Sequence, residues 1–297
     1  MKKEFGFIRF DTIDEFANWL NKESVSRKIS RLQVHHMSLP NYNTWESTDK
    51  KVYGSNRELG RTNSLNTYSK TTWNSPDKSG HYIAQHLNIF PNGKITTGRD
   101  LNSKPIGIKG WNDEAICVEI YGDFDSKQDI MTTAQKESVI AVYGLLCKKF
   151  NLTPSVNTIR PHCWFTSSGT YLGNYQNGKS AKSCPGTNFM SIGNTKTAFV
   201  DKFYPSIKNY MKNKDLFENT SPSAPKKKMV KNISKESINI RSSANWNGKI
   251  VDTLNSGDSL TYVAGPLTAK NGTIKMYKCK NDVYITASSK FTKIIEI

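Results

Sequence analysis

Ala115-Ile-Cys-Val-Glu-Ile-Tyr121 is an apolar run with one carboxylate inside it, and it reads as a buried strand carrying a single misplaced charge. Upstream, Leu32-Gln-Val34 reads as the end of a short strand that runs directly into His35-His36. Ile83 to Phe90 and Lys94-Ile-Thr96 are two β-prone runs joined by Pro91-Asn-Gly93, the pattern of a hairpin with an Asn-Gly turn. Helical spacing appears on both sides of these strands. Asp11 is a plausible N-cap for a helix carrying Ile13, Phe16, Ala17, Trp19 and Leu20. Thr132 to Phe150 places Val139, Val142, Tyr143 and Leu146 on one helical face. Strands and helices intermixed in this way predict an α/β class, a sheet with helices packed on it.

The chain has 297 residues, 42 Lys+Arg against 25 Asp+Glu, and a formal net charge of +17. Length predicts about two domains. No run approaches the roughly 20 apolar residues of a membrane-spanning helix. The N-terminal MKKEFGFIRF lacks the apolar core and small-residue cleavage site of a secretory signal peptide, so none is expected. The positive charge calls for an anionic partner: nucleic acid, acidic membrane or a phosphate-bearing polymer. The cysteines, Cys117, Cys147, Cys163, Cys184 and Cys279, are odd in number and irregularly spaced. That argues against a disulfide framework and leaves each as a buried small side chain, a reactive thiol or a metal ligand.

Composition breaks at residues 218–232, ENTSPSAPKKKMVKN, which reads as a linker. It separates residues 1–217 from residues 233–297. The tail differs in kind from what precedes it. Ile238-Asn-Ile240, Lys249-Ile-Val251, Ser259 to Val263, Ile274 to Cys279 and Val283 to Ile285 are short β-prone runs. Turn dipeptides at Asn247-Gly248, Ser256-Gly257 and Asn271-Gly272 separate most of them, which predicts a small all-β barrel.

Four groups in the first part carry chemistry. His35-His36 ends a strand, Glu119 sits inside one, His162 follows Arg160-Pro161, and Lys182-Ser-Cys184-Pro-Gly186 ends a polar, Gly-rich loop. Taken singly, each has an ordinary reading as surface polarity, a hydrogen-bonded histidine, a structural thiol or a paired carboxylate. Together they fit one zinc chemistry. Catalytic zinc takes three ligands from His, Cys and carboxylate and leaves a position open. His35, His162 and Cys184 would supply two imidazoles and a thiolate, and water activated there would be the nucleophile. A carboxylate buried like Glu119 would take and return a proton near neutral pH. Lys182 would stabilise an oxyanion.

The segments Leu32-Gln-Val-His-His36, Ile116-Cys-Val-Glu-Ile-Tyr-Gly-Asp-Phe124 and Lys182-Ser-Cys-Pro-Gly186 resemble the zinc N-acetylmuramoyl-L-alanine amidases, a family that includes phage endolysins, bacterial autolysins and peptidoglycan recognition proteins. Phe90-Pro-Asn-Gly-Lys-Ile95 and Thr97-Gly-Arg-Asp100 extend the likeness, which covers most of residues 30–210 in the family's order. The resemblance implies a mixed central sheet flanked by helices. It also implies a Zn2+ cofactor on His35, His162 and Cys184, an acid/base residue at Glu119 and an oxyanion lysine at Lys182, with His36 as the non-ligand neighbour. Two features depart from the pattern. Trp111 stands in Gly107-Ile-Lys-Gly-Trp-Asn112 where relatives often carry His, so no substrate-contacting histidine is expected there. The loop from His162 to Lys182 is longer than in many relatives, and it reads equally as a groove rim or a surface insertion. His86 matches a position in the family's sheet and is expected to pack near the site. Cys163 should point away from it, as neighbours on extended backbone do.

Ser237-Ile-Asn-Ile-Arg-Ser-Ser243 through Trp246-Asn-Gly248 to Gly257-Asp258 resembles a bacterial SH3 domain, and such modules in wall hydrolases bind peptidoglycan. Trp246, Tyr262 and Tyr284 are candidates for its groove, or equally for its core. The combined expectation is a hydrolase cleaving the amide between N-acetylmuramic acid and L-alanine in Gram-positive peptidoglycan. Anionic wall polymers are possible further partners. With no signal peptide, a phage endolysin held in the host cytoplasm until release, then acting at the wall, is the leading role, and a host autolysin the runner-up. Other readings are a non-catalytic wall receptor, a cysteine hydrolase built on Cys184 and His162, and nucleic-acid binding. The last is disfavoured because the basic residues are dispersed and no recognised motif appears.

Overall fold

In the computed structural model, residues 1–218, 228–269 and 274–296 are described. The chain divides into two compact units, residues 1–216 and 217–297.

The larger unit is built on a seven-stranded sheet: β1 (Lys2–Glu4), β2 (Phe7–Phe10), β3 (Arg31–His36), β4 (Leu87–Ile89), β5 (Ile95–Thr97), β6 (Ala115–Ile120) and β7 (Ile159–Pro161). Their spatial order is β1-β2-β5-β4-β6-β3-β7. The β4, β6, β3 and β7 strands run parallel, while β1, β2, β5 and β4 pair antiparallel, so the sheet is mixed. Four long helices accompany it: α1 (Ile13–Lys22), α2 (Arg57–Thr72), α3 (Thr133–Lys149) and α4 (Tyr204–Glu218). The central sheet with helices is the α/β architecture expected.

Alternation along the strands decides everything that follows, because successive side chains point to opposite faces. Leu32, Val34, Leu87, Ile89, Ile95, Ile116, Val118 and Ile120 lie on one face, in a single core with Phe16 and Leu20 of α1 and Val139, Val142 and Leu146 of α3. Gln33, His35, Asn88, Thr96, Cys117 and Glu119 occupy the alternate positions on the other face. That face is therefore polar at its centre. Part of it is covered by α2, where Leu59 packs with Phe7 and Ile83, and Thr62 Oγ1 meets Thr96 Oγ1 at 2.8 Å.

The helix caps follow local chemistry. Asp11 was the expected cap of α1, but Thr12 takes the role: its side chain accepts from the Glu15 amide, while the Asp11 amide donates to Glu15 Oε2 at 2.8 Å. The cap thus sits one residue later than the sequence suggested, and the Glu15 carboxylate reaches back past it to the preceding amide. Thr132 caps α3 and accepts from the Gln135 amide, with Lys148 and Lys149 at the negative end of the helix dipole.

The smaller unit is a seven-stranded antiparallel sheet of β8 (Lys228–Asn232), β9 (Ile238–Arg241), β10 (Ile250–Leu254), β11 (Ser259–Thr268), β12 (Lys275–Cys279), β13 (Val283–Thr286) and β14 (Thr292–Glu296). The order is β10-β9-β13-β12-β11-β8-β14, around a core of Val230, Ile240, Leu254, Cys279 and Ile285. One boundary needs correction. Lys228–Asn232, expected as the end of the linker, is a strand paired with both β11 and β14, because Val230 is fully buried between them. The rest of the expected linker after residue 218, and the Asn271-Gly272 turn, lie outside the described residues. Trp246, 40% exposed, lines a small cavity of about 170 Å³ with Arg241 and Phe291. Tyr262 packs on Tyr277 and donates its hydroxyl to the Gly265 carbonyl at 2.7 Å. Tyr284, half-buried, sits on β13 opposite Arg241 of β9.

Candidate active site

His35 and Glu119 are register partners across the parallel β3–β6 pair, so both project from the polar face of the sheet side by side. His36, one residue on, faces the other way. Its Nδ1 accepts the Phe124 amide at 3.1 Å, which removes that nitrogen from the cluster on the opposite face.

His162 and Cys184 reach the same place from the chain beyond β7. After Pro161 the backbone makes one tight turn, His162–Trp164. The Cys163 amide donates to the Cys184 carbonyl at 2.8 Å, tying the two segments together. The loop carrying Cys184 is seated on the segment after β6. Asp125 accepts from Ser183 Oγ at 2.6 Å and from the Thr187 amide at 2.8 Å. Gly186, at φ +111°, lies so close to the Phe124 backbone that a Cβ there would overlap it. Glycine is needed at that point both for its torsion angle and for its lack of a side chain.

The result is a convergence of three donors. His35 Nδ1 lies 3.7 Å from Cys184 Sγ, the His35 and His162 ring centroids are 5.0 Å apart, and one donor atom from each residue lies within 4.8 Å of the other two. The Cys184 sulfur also accepts the His36 amide at 3.3 Å. Burial holds His35 well below its ordinary pKa and lowers His162 to about 4, with His162 and Lys182 adding repulsion at His35, and Lys182 and His36 at His162. Both imidazoles are thus neutral at pH 7 and have a lone pair to offer. Burial pushes the Cys184 thiol up, and Glu119 raises it further. A cation beside it would reverse that preference, since a coordinating thiol is deprotonated. Two neutral imidazoles and one sulfur converging beside an open space fit the donor set of a catalytic zinc ion.

Glu119 is raised to about 8 by burial, with Lys182 pulling the other way. A carboxyl at that value exchanges its proton near neutrality. The cavity beside these groups has a volume of about 240 Å³. His35, His162, Cys184, Glu119 and Lys182 line one part of it, and Leu65, Tyr68 and Trp73 of the α2 region line another. Tyr68 and Trp73, 60% and 46% exposed, meet edge to face with centroids 6.1 Å apart. All five sequence-derived site residues therefore border one space. Sequence reasoning missed the α2 rim and Gln33, which contacts His35.

The remaining expectations are placed as follows. His86 is fully buried outside the cavity lining, with Nδ1 accepting the Cys117 amide at 2.9 Å. Cys163 points its sulfur to the Asn194 carbonyl, away from His35. All five cysteines are free and buried. Trp111 is buried against Phe165, with the Arg31 and Arg160 guanidiniums over its ring. The loop after His162 folds back on itself: the Leu172 amide donates to the Trp164 carbonyl at 2.7 Å and the Ala181 amide to the Phe165 carbonyl at 2.8 Å. Arg160 stacks over Tyr171 at 3.9 Å, and Gly169 abuts the Lys109–Gly110 backbone. Among the described residues, His36, Asp123 and Asp125 also cluster, but they hydrogen-bond the Phe124, Asp125 and Thr187 amides. No helix is long and apolar enough to cross a membrane among the described residues.

A family profile described as N-acetylmuramoyl-L-alanine amidase matches residues 25–187, more than half of the chain. No curated protein matches. Among solved structures, the chain is similar to the N-acetylmuramoyl-L-alanine amidase LysC from Clostridium intestinale, at 22% identity and TM-score 0.35, over 56% of this chain and 81% of that one. It is also similar to Drosophila PGRP-LB, at 13% identity and TM-score 0.39, over 60% and 82%. Bumblebee PGRP-SA matches at 12% identity and TM-score 0.41, over 61% and 89%.

Proposed function

The chain belongs to the N-acetylmuramoyl-L-alanine amidase family, and on that premise we propose that it is a zinc hydrolase cleaving the lactyl amide between N-acetylmuramic acid and L-alanine in peptidoglycan. The observation that carries this reading is the meeting of His35, His162 and Cys184 within 4.8 Å, with Glu119 as register partner of His35 on the same sheet face. Those three side chains would hold Zn2+. When bound, the ion supplies Lewis acidity, which makes water nucleophilic at neutral pH and polarises the amide carbonyl. Glu119 accepts the proton of the attacking water and returns it to the departing alanine nitrogen as the C–N bond breaks. Lys182, at the cavity edge, faces the negative charge that develops on the carbonyl oxygen.

The smaller unit is proposed as an SH3-type wall-binding module, and the whole chain as a phage endolysin that waits in the host cytoplasm and acts on the Gram-positive wall. A host autolysin with the same chemistry is the alternative role. The net charge of +17 favours approach to anionic wall polymers, an effect that salt weakens.

The test is product analysis on purified Gram-positive peptidoglycan. New L-alanine N-termini without new reducing sugars, abolished by chelation and restored by zinc, are the expected result. Release that survives chelation and fails on thiol alkylation would make Cys184 the nucleophile instead. Binding without release from any wall would make the protein a receptor.

A further inference from the structure

Gln33 lies on the polar face of β3, two residues before His35, and its side chain is completely buried. Its orientation is not arbitrary, because backbone groups of unambiguous polarity read both ends of the amide. Gln33 Nε2 donates to the Trp111 carbonyl at 2.9 Å and to Asn112 Oδ1 at 3.1 Å. Gln33 Oε1 accepts the Ile108 amide at 3.3 Å. The other contact of that oxygen is His35 Nε2, at 3.2 Å.

An amide oxygen cannot donate, so the hydrogen between Gln33 and His35 has to come from the imidazole. In a neutral imidazole one nitrogen carries the proton and the other the lone pair. With Nε2 donating to Gln33, the lone pair sits on Nδ1, the nitrogen that lies 3.7 Å from Cys184 Sγ. We infer that Gln33 is a positioning residue that sets the tautomer and ring orientation of His35, so that Nδ1 is presented to the metal before any metal arrives. The inference rests on the zinc reading above. It extends that reading from the ligands to the residue that arranges one of them, a kind of partner that typically changes metal affinity by 10–100-fold.

Two neighbours complete the device. Gly107 donates its amide to Asn112 Oδ1 at 3.0 Å, which closes the loop that Gln33 reads. A Cβ at Gly107 would overlap Gln33 Oε1, so the glycine leaves the space that this oxygen occupies. Trp111, whose carbonyl holds Gln33 Nε2, is itself clamped by Phe165, Arg31 and Arg160. Trp111 thus anchors the acceptor that orients Gln33.

The experiment uses the full chain labelled with 15N-histidine, stripped of metal, with resonances assigned by single His→Asn variants. His35 in the wild type is expected as the Nε2-protonated tautomer, and a Nδ1-protonated His35 overturns the proposal without reference to any variant. Gln33→Met keeps the volume and removes the acceptor; His35 should then populate both tautomers, and zinc affinity, measured by competition with a chromophoric chelator, should fall 10–100-fold. Gln33→Glu restores an acceptor for Nε2–H while losing the donors to Trp111 and Asn112. It should recover the single tautomer and most of the affinity, which a merely structural role would not. If either Gln33 variant fails to fold, Gly107→Ala displaces Oε1 with the glutamine intact and should reproduce the Gln33→Met result. Unchanged tautomer and affinity in Gln33→Met, or in Gly107→Ala where that variant stands in, overturn the proposal. Absence of zinc binding in the wild type refutes the zinc reading instead, and the metal-free tautomer measurement separates the two failures.

Discussion

Acid should destabilise the larger unit through His86, and the size of the effect follows from its surroundings. The ring is fully buried. Nδ1 accepts the Cys117 amide at 2.9 Å, so Nε2 carries the proton and donates to the Ser103 carbonyl at 3.0 Å. A second proton would have to sit on Nδ1, facing an N–H, in a site that already holds the Arg27 guanidinium 3.3 Å from Nε2. Burial, then Arg27, lowers the folded pKa from 6.5 to about 3. As pH falls, the unfolded chain binds the proton first. The contribution of neutral His86 is therefore complete above about pH 6.5 and is lost progressively toward pH 3. At about 1.4 kcal/mol per pH unit, that window is worth about 5 kcal/mol, of which about 3 kcal/mol is gone by pH 4. Against a typical total of about 5–15 kcal/mol, this is a large share of the unit's stability. The assay is denaturant unfolding of wild type and His86→Asn, with chelator present, from pH 7 to pH 4, followed by tryptophan fluorescence. Five of the six tryptophans lie in the larger unit, so the signal reports on it. His86→Asn should be the less stable protein at pH 7, and the gap should close by about 3 kcal/mol at pH 4. Parallel stability curves for the two proteins would refute the reasoning, because every other titrating group is common to both.

Further outcomes follow from the site. Glu119→Gln should lower kcat by about 10²–10⁴ with zinc content unchanged, and the acid limb of the pH–rate profile should go with it. Lys182→Ala should lower kcat by about 10²–10³, the loss expected for one donor to an oxyanion, with the melting temperature little changed. Gly186→Ala should destabilise the fold by more than about 1 kcal/mol and weaken zinc binding, because the backbone that positions Cys184 two residues earlier must move off Phe124. Tyr171→Ala removes a partly exposed ring from the Arg160 guanidinium and should cost about 0.5–1 kcal/mol by urea denaturation, with zinc affinity unchanged.

What the sequence made legible came from strand and helix patterns for the fold and from the likeness to the amidases for the site, which singles out His35 over His36. The structure supplies the physical reason: in Leu32-Gln-Val-His-His36 a period of two with Leu32 and Val34 in the core sends His35 to the opposite face. The same alternation in β6 places Glu119 beside it. The rim of the cavity was not legible, because Arg57–Thr72 is a helix without an apolar stripe. It is rich in Ser, Thr and Asn, and it buries Glu58, Thr62 and Ser69 as well as Leu59. Gln33 was hidden for a different reason. A glutamine in a short apolar strand has no local signature, and its partners Ile108, Trp111 and Asn112 lie 75 to 79 residues along the chain. The start of the second unit was obscured by charge: lysines around Met229-Val230 mask a strand whose inward residue is Val230.

The two-faced sheet also sets what kinds of change this chain can absorb over time. Substitutions on β3 and β6 act one side chain at a time. A single-residue insertion ahead of His35 within β3 would exchange the two faces at once, turning a leucine or valine toward the cavity and His35 toward the apolar core. Within these strands replacement costs less than insertion, and added length fits more easily in the connections, such as the stretch between His162 and Lys182. The strand pair keeps a fixed reading frame while the walls around it are free to grow.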